Sequence, residues 1–93
     1  MNERPSIPTC LQETRDALDM GKSELARTLG VSPTSIHNWE SGNSSPDAYR
    51  KAAIRRLWEG AMDHPEDTRR TVSGLGARSV SELLGKLFTG YGS

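Results

Sequence analysis

Residues 22–39 read K-S-E-L-A-R-T-L-G-V-S-P-T-S-I-H-N-W, and the fold turns on how this stretch is parsed. Its first part, 22–29, carries Leu25, Ala26 and Leu29 at i, i+1 and i+4, which gives a short helix one apolar face. Gly30 follows, where a helix end calls for a residue that tolerates positive φ. Ser32 then offers a side-chain oxygen to the free amides of a new helix. Pro33 suits the first position of that helix, where no amide hydrogen is required. Ile36 and Trp39, three apart, form its inner face, and Gly42 ends it. Two helices joined by three residues must cross steeply. The crossing needs a small residue at the contact, supplied by Ala26, and buried side chains at Leu25, Leu29, Val31, Ile36 and Trp39.

Working outward, residues 1–8 (M-N-E-R-P-S-I-P) hold two prolines and no period, and are read as a flexible lead-in. Thr9 is expected to cap a helix through about Leu18, with Leu11, Thr14, Arg15 and Leu18 on one face and Met20-Gly21 closing it. On the other side, Asn43-Ser44-Ser45-Pro46 reads as a turn in which Ser45 caps and Pro46 opens a fourth helix. Tyr49, Ala52, Ala53 and Leu57, with Ile54, Trp58, Ala61 and Met62 beside them, carry that helix to about Asp63. Trp58 and Met62 lie at the edge of a wide apolar arc, and Asp47, Lys51, Arg55 and Glu59 form a polar stripe. His64-Pro65 breaks the chain, and residues 66–78 are read as a linker or weak helix. Ser79-Val80-Ser81-Glu82 has capping-box spacing. Val80, Leu83, Leu84 and Leu87 then recur at i, i+3, i+4 and i+7, an amphipathic helix ending near Phe88. The expected organisation is therefore all-α, with four to five helices: a flexible 1–8, a helical domain 9–63, and a linker with a short amphipathic helix over 64–93.

The chain has 93 residues with 12 basic and 12 acidic side chains, so its formal net charge is zero. Leu, Ile, Val and Phe make up only about a sixth of it, and mean hydropathy is −0.65, which predicts a thin core and frayed ends. Apolar runs are too short for a membrane span, and no secretory signal is read, so a cytoplasmic protein is expected. One cysteine, Cys10, forbids an internal disulfide and leaves no cysteine cluster for zinc. His37 and His64 lack carboxylates at metal-ligand spacing, so neither a metal nor a cofactor is expected. No enzyme is indicated, because paired carboxylates, a nucleophile with a base and a phosphate-cradling loop are all missing. Gly74 and Gly76 follow no strand. The roughly 30 residues after the fourth helix are too few to enclose an effector pocket.

Arg15, E-L-A at 24–26, L-G-V-S at 29–32, Ile36, Trp39-Glu40, Gly42 and Pro46 together resemble the lambda-repressor-like helix-turn-helix domain, also called the XRE or Cro/repressor family. The resemblance spans about residues 9–62. It implies that the helix from Pro33 to Ser41 is a recognition helix lying in the DNA major groove. Pro33, Thr34 and Asn38 match base-contacting positions, with Ser35 and His37 nearby. Asn38 suits adenine, Thr34 can bond or offer its methyl to thymine, and His37 can donate to guanine. The implied phosphate contacts are Lys22, Ser41, Asn43 and Ser44, with Arg50 and Lys51 from the cluster Arg50, Lys51, Arg55, Arg56 as additional candidates. The cluster also reads as a solvated helix face, and Thr34 and Asn38 as ordinary surface polars. Asp47 is assigned to the helix dipole. The resemblance further implies a partly buried ion pair between Arg15 and Glu40 that sets the angle of the recognition helix.

Two function classes are compatible with these features. The first is a sequence-specific DNA-binding transcriptional regulator, a repressor that occupies an operator on double-stranded DNA. The second is an antitoxin or other partner-binding protein that uses the same domain and binds a protein through its C-terminal segment. The stripe Val80, Leu83, Leu84, Leu87, Phe88 either folds back onto Trp58 and Met62 or pairs with a second copy. Dimerisation is the favoured expectation, because two half-sites specify more bases than one.

Overall fold

In the computed structural model residues 5–75 are described, and they form five helices and no strand. These are α1 (Ile7–Leu18), α2 (Lys22–Leu29), α3 (Pro33–Ser41), α4 (Ala48–Asp63) and α5 (Pro65–Leu75). Helix α1 lies against α4 and α3, α2 against α3, and α5 closes over α4 and α1.

The same device ends the first three helices. Asp19, Gly30 and Gly42 each take a left-handed conformation, at φ 55°, 72° and 80°. In each case the amide of the next residue turns back five positions: Met20 to the Arg15 carbonyl, Val31 to Ala26 and Asn43 to Asn38, all at 2.9 Å. The last carbonyls of each helix are satisfied in this way, and the chain leaves in a defined direction. Gly30 and Gly42 stand where expected. Helix α1 closes one residue earlier than Met20-Gly21, on Asp19, whose short polar side chain tolerates the left-handed region better than most.

The helix starts include two corrections. Helix α1 begins at Ile7, not after Thr9: Ser6 is its cap, accepting from the Thr9 amide, and Ile7 is buried. Residues 5–8 are thus built into the fold, with Pro8 in the first turn, where its missing amide hydrogen costs nothing. Ser32 and Pro33 open α3 as expected. Helix α4, however, is capped by Asp47, whose carboxylate accepts from the Arg50 amide at 2.9 Å, and not by Ser45. Pro46 lies before the cap and is buried. A carboxylate at the positive end of the helix gains from the dipole as well as from the hydrogen bond, which favours Asp47 over a serine.

The core is one cluster: Ile7, Cys10, Leu11 and Leu18 from α1, Leu25, Ala26 and Leu29 from α2, Ile36 and Trp39 from α3, and Ala53, Ile54, Leu57 and Ala61 from α4. Met20 and Val72 complete it. Each fully buried leucine or isoleucine contributes about 1.5–3 kcal/mol of transfer free energy, which offsets the ordering of a short chain. Val31, expected inside, is half-buried against the cluster, as is Trp58. Tyr49 and Met62 are exposed, so the wide apolar arc of α4 is only partly used.

Of the two readings of 66–78, linker or weak helix, residues 65–75 take the helical one. The His64 amide donates to the Gly60 carbonyl, and the Thr68 amide donates to the His64 carbonyl, so α4 ends and α5 starts on one residue. Pro65 opens α5, with Glu66 and Asp67 in its first turn at the favourable end of the dipole. Thr68 and Val72, one turn apart, are buried, and Arg69 reaches Glu24 of α2 at 2.7 Å. The expected amphipathic helix with Val80, Leu83, Leu84, Leu87 and Phe88 lies outside the described residues.

Candidate nucleic-acid interface

Helix α3 has an inner and an outer side. Ile36 and Trp39 enter the core, and the Glu40 side chain is covered. At about 100° per residue, Pro33, Thr34, His37, Asn38 and Ser41 share the opposite arc of roughly 140°. Pro33, Thr34, His37 and Ser41 are exposed and Asn38 is half-buried. Ser35 falls off this arc. It is half-buried, and its hydroxyl shares a hydrogen bond with that of Ser32 at 3.2 Å, which ties it to the helix cap.

The outer arc is held in place from the inner side. Arg15 of α1 grips Glu40 through two parallel bonds, Nε to Oε2 at 2.8 Å and Nη2 to Oε1 at 3.0 Å. The Glu40 side chain is 6% exposed and that of Arg15 26%. Hydrogen bonding to Glu40 holds the Arg15 guanidinium above its ordinary pKa, with burial partly opposing the shift. The pair therefore fixes the last turn of α3 to α1.

The surroundings of the arc sort the remaining predicted residues. Lys22, at the start of α2, places its ammonium 3.2 Å from Nδ1 of His37. The cap of α2 is Gly21, and among the described residues no side chain hydrogen-bonds its first amides, while Glu24 of its first turn is drawn to Arg69 of α5. After α3, the Asn43 and Ser44 amides both donate to the Asn38 carbonyl, leaving their exposed side chains, not their amides, for any further contact. The Ser41 hydroxyl donates to the His37 carbonyl.

The four cations of α4 do not act as one patch. Arg50 turns to Asp47 at 3.4 Å, Arg55 donates to the Pro5 carbonyl at 2.9 Å and Arg56 faces Glu59 at 3.2 Å. Lys51 is exposed. The sequence offers no direct signal for the Arg55–Pro5 contact, because it joins positions fifty apart through backbone. On the far side of α4, the Trp58 indole donates to Glu13 of α1 at 2.9 Å. Met62 is 41% exposed beyond it. Among the described residues, no group of three or more His, Cys, Asp or Glu is placed to hold a metal ion, and no helix is long and apolar enough to cross a membrane.

The helix-turn-helix family model matches residues 11–50, from the middle of α1 to the first turn of α4. Residues 11–50 are a lambda-repressor-like helix-turn-helix domain. The matched stretch holds both members of the Arg15–Glu40 pair, the whole of α2 and α3, and the outer arc of α3. No curated protein and no solved structure matches the chain. The domain supports a DNA-binding regulator in general, from a family whose members are typically not enzymes.

Proposed function

We propose that this protein is a sequence-specific transcriptional repressor that sets α3 in the major groove of an operator. The observation that carries this reading is the outer arc of α3. It is a polar, solvent-facing surface on a helix whose opposite side is locked by Ile36, Trp39 and the Arg15–Glu40 pair. A reading surface must be both exposed and rigid, because each base contact is worth only about 1–3 kcal/mol of discrimination and is lost if the helix can tilt.

On this reading Thr34, His37 and Asn38 meet base edges, and Pro33 offers apolar contact. Lys22, Ser41, Asn43 and Ser44 meet phosphates, with Lys51 as an outlying charge. Arg50 contributes only by leaving Asp47. Helix α3 has neither Lys nor Arg, so backbone contacts carry most of the affinity and the arc carries the selectivity. The uncapped start of α2 suits a phosphate oxygen. The protein represses by occupying its site and excluding polymerase. It binds as a homodimer, since one arc of this size reads few bases and two copies read half-sites about one helical turn apart.

Selection from a random duplex DNA library with the intact protein, at near-physiological salt, tests this. An enriched inverted repeat is the expected result. A single enriched half-site removes the dimer and retains the DNA reading. No enrichment by folded protein overturns it in favour of a protein-binding role.

A further inference from the structure

The contact between Lys22 and His37 bears on which base edge α3 reads. An ammonium group has three donors and no acceptor. At 3.2 Å from Lys22 Nζ, Nδ1 of His37 must therefore be the accepting nitrogen. The proton of the neutral ring then resides on Nε2. His37 is exposed on the outer arc of α3, and its Nε2 meets no partner among the described residues. Its backbone is held in turn, since the Ser41 hydroxyl bonds the His37 carbonyl and Ile36 beside it is buried. The neighbour on the Lys22 side of the arc, one turn earlier, is Pro33, whose side chain carries no hydrogen-bonding group. One turn later on the arc, the Ser41 hydroxyl is engaged by the His37 carbonyl, so the ring of His37 carries the polar group next to Pro33.

We infer that Lys22 is a positioning residue that sets the tautomer of His37, making His37 a specificity-determining donor for a base edge bearing acceptors, with guanine preferred. Guanine presents N7 and O6 side by side with no donor between them. Adenine sets an amino donor next to its N7, and cytosine presents a donor alone. A free imidazole exchanges its proton between the two nitrogens and serves donor and acceptor edges alike. The lysine removes that ambiguity. It also couples the two parts of the interface: with one donor on Nδ1 of His37, the ammonium keeps two for a phosphate, so one side chain holds the backbone and the reading ring together. This inference rests on the DNA-binding reading above.

The test is site selection with the full-length wild type, His37→Ala and Lys22→Met. In the wild type, one position in each half-site is expected to favour guanine. In His37→Ala that preference falls by about two- to tenfold, the worth of one hydrogen bond, while the other positions keep theirs. Lys22→Met is expected to weaken binding and to relax the same position without touching the rest. A purely structural or purely phosphate-binding lysine would lower all sequences equally, and that outcome overturns its positioning role. Identical profiles for wild type and His37→Ala, or a preference there for a donor edge such as cytosine, overturn the assignment of His37. If the wild type enriches nothing, the DNA reading falls and the base assignment with it. Nitrogen NMR of the His37 ring at alkaline pH separates the two failures. An Nε2–H ring that admits the other tautomer in Lys22→Met shows that the contact is as described. An Nδ1–H ring in the wild type refutes it.

Discussion

Replacing Arg15 by methionine tests whether the ion pair between α1 and α3 holds α3 in place. The two partners are not equivalent. Glu40 is 6% exposed, so removing the guanidinium leaves a largely covered carboxylate without its charge partner. Arg15 is 26% exposed, and an unpaired guanidinium there can turn outward. Breaking a buried pair costs about 3–5 kcal/mol, and the open edge of this one places Arg15→Met near 3 kcal/mol. Glu40→Gln keeps the volume and one acceptor for Arg15, so its cost is about 1–2 kcal/mol. Arg15→Met combined with Glu40→Leu removes both charges and is expected to recover most of the loss. In a domain of this size 1 kcal/mol moves the melting temperature by about 4–8 °C, so Arg15→Met is expected to melt roughly 12–24 °C below wild type. Thermal melts followed by helical circular dichroism read all three variants. Two results would refute the reasoning: Arg15→Met within about 2 °C of wild type, or Glu40→Gln costing more than Arg15→Met.

Three further outcomes follow from single positions. Gly42 sits at φ 80° with nothing within 4 Å of an added Cβ, so Gly42→Ala is expected to cost about 1–2 kcal/mol from backbone conformation alone, measured by chemical denaturation. A variant as stable as wild type would mean that the turn after α3 relaxes freely. Gly21 has φ −85° and equally open space, so Gly21→Asp caps α2 and should add up to about 1 kcal/mol of stability. The same carboxylate repels phosphate from the start of α2, so the variant is expected to bind the selected DNA site more weakly; undiminished binding would remove that helix end from the interface. Val72 is buried, so Val72→Ala should destabilise the whole protein by about 2 kcal/mol in a single cooperative transition. An unchanged midpoint would place α5 outside the cooperative unit.

The central motif was legible because its signals are local. Ser32 and Pro33 start α3, and Gly30 and Gly42 stop α2 and α3, through hydrogen bonds spanning six residues or fewer. The apolar positions Leu25, Leu29, Ile36 and Trp39 repeat at helical spacing, and all four are buried. At two helix starts, two local signals compete and the expected cap is not the one used. Ser45 and Asp47 both suit a cap, and the carboxylate prevailed. Ser6 and Thr9 both suit the start of α1, and Ser6 prevailed, with Ile7 buried behind it.

Sequence alone determined that this is a helical protein with a helix-turn-helix motif, because capping and periodicity act over one or two turns and leave their pattern in neighbouring residues. It also supplied, through the family pattern, the pairing of Arg15 with Glu40. Tertiary structure decided the rest. Helix α5 buries only Thr68 and Val72 among its first residues, too weak a pattern to distinguish from a linker until α4 and α1 are present to receive them. The basic run on α4 divides among Asp47, the Pro5 carbonyl and Glu59, partners drawn partly from the other end of the chain. Lys22 meets His37 only because the turn at Gly30 folds α2 and α3 together, bringing side chains fifteen residues apart within hydrogen-bond distance. Such contacts depend on the path of the backbone between them, and that path is set by the packing of the whole domain.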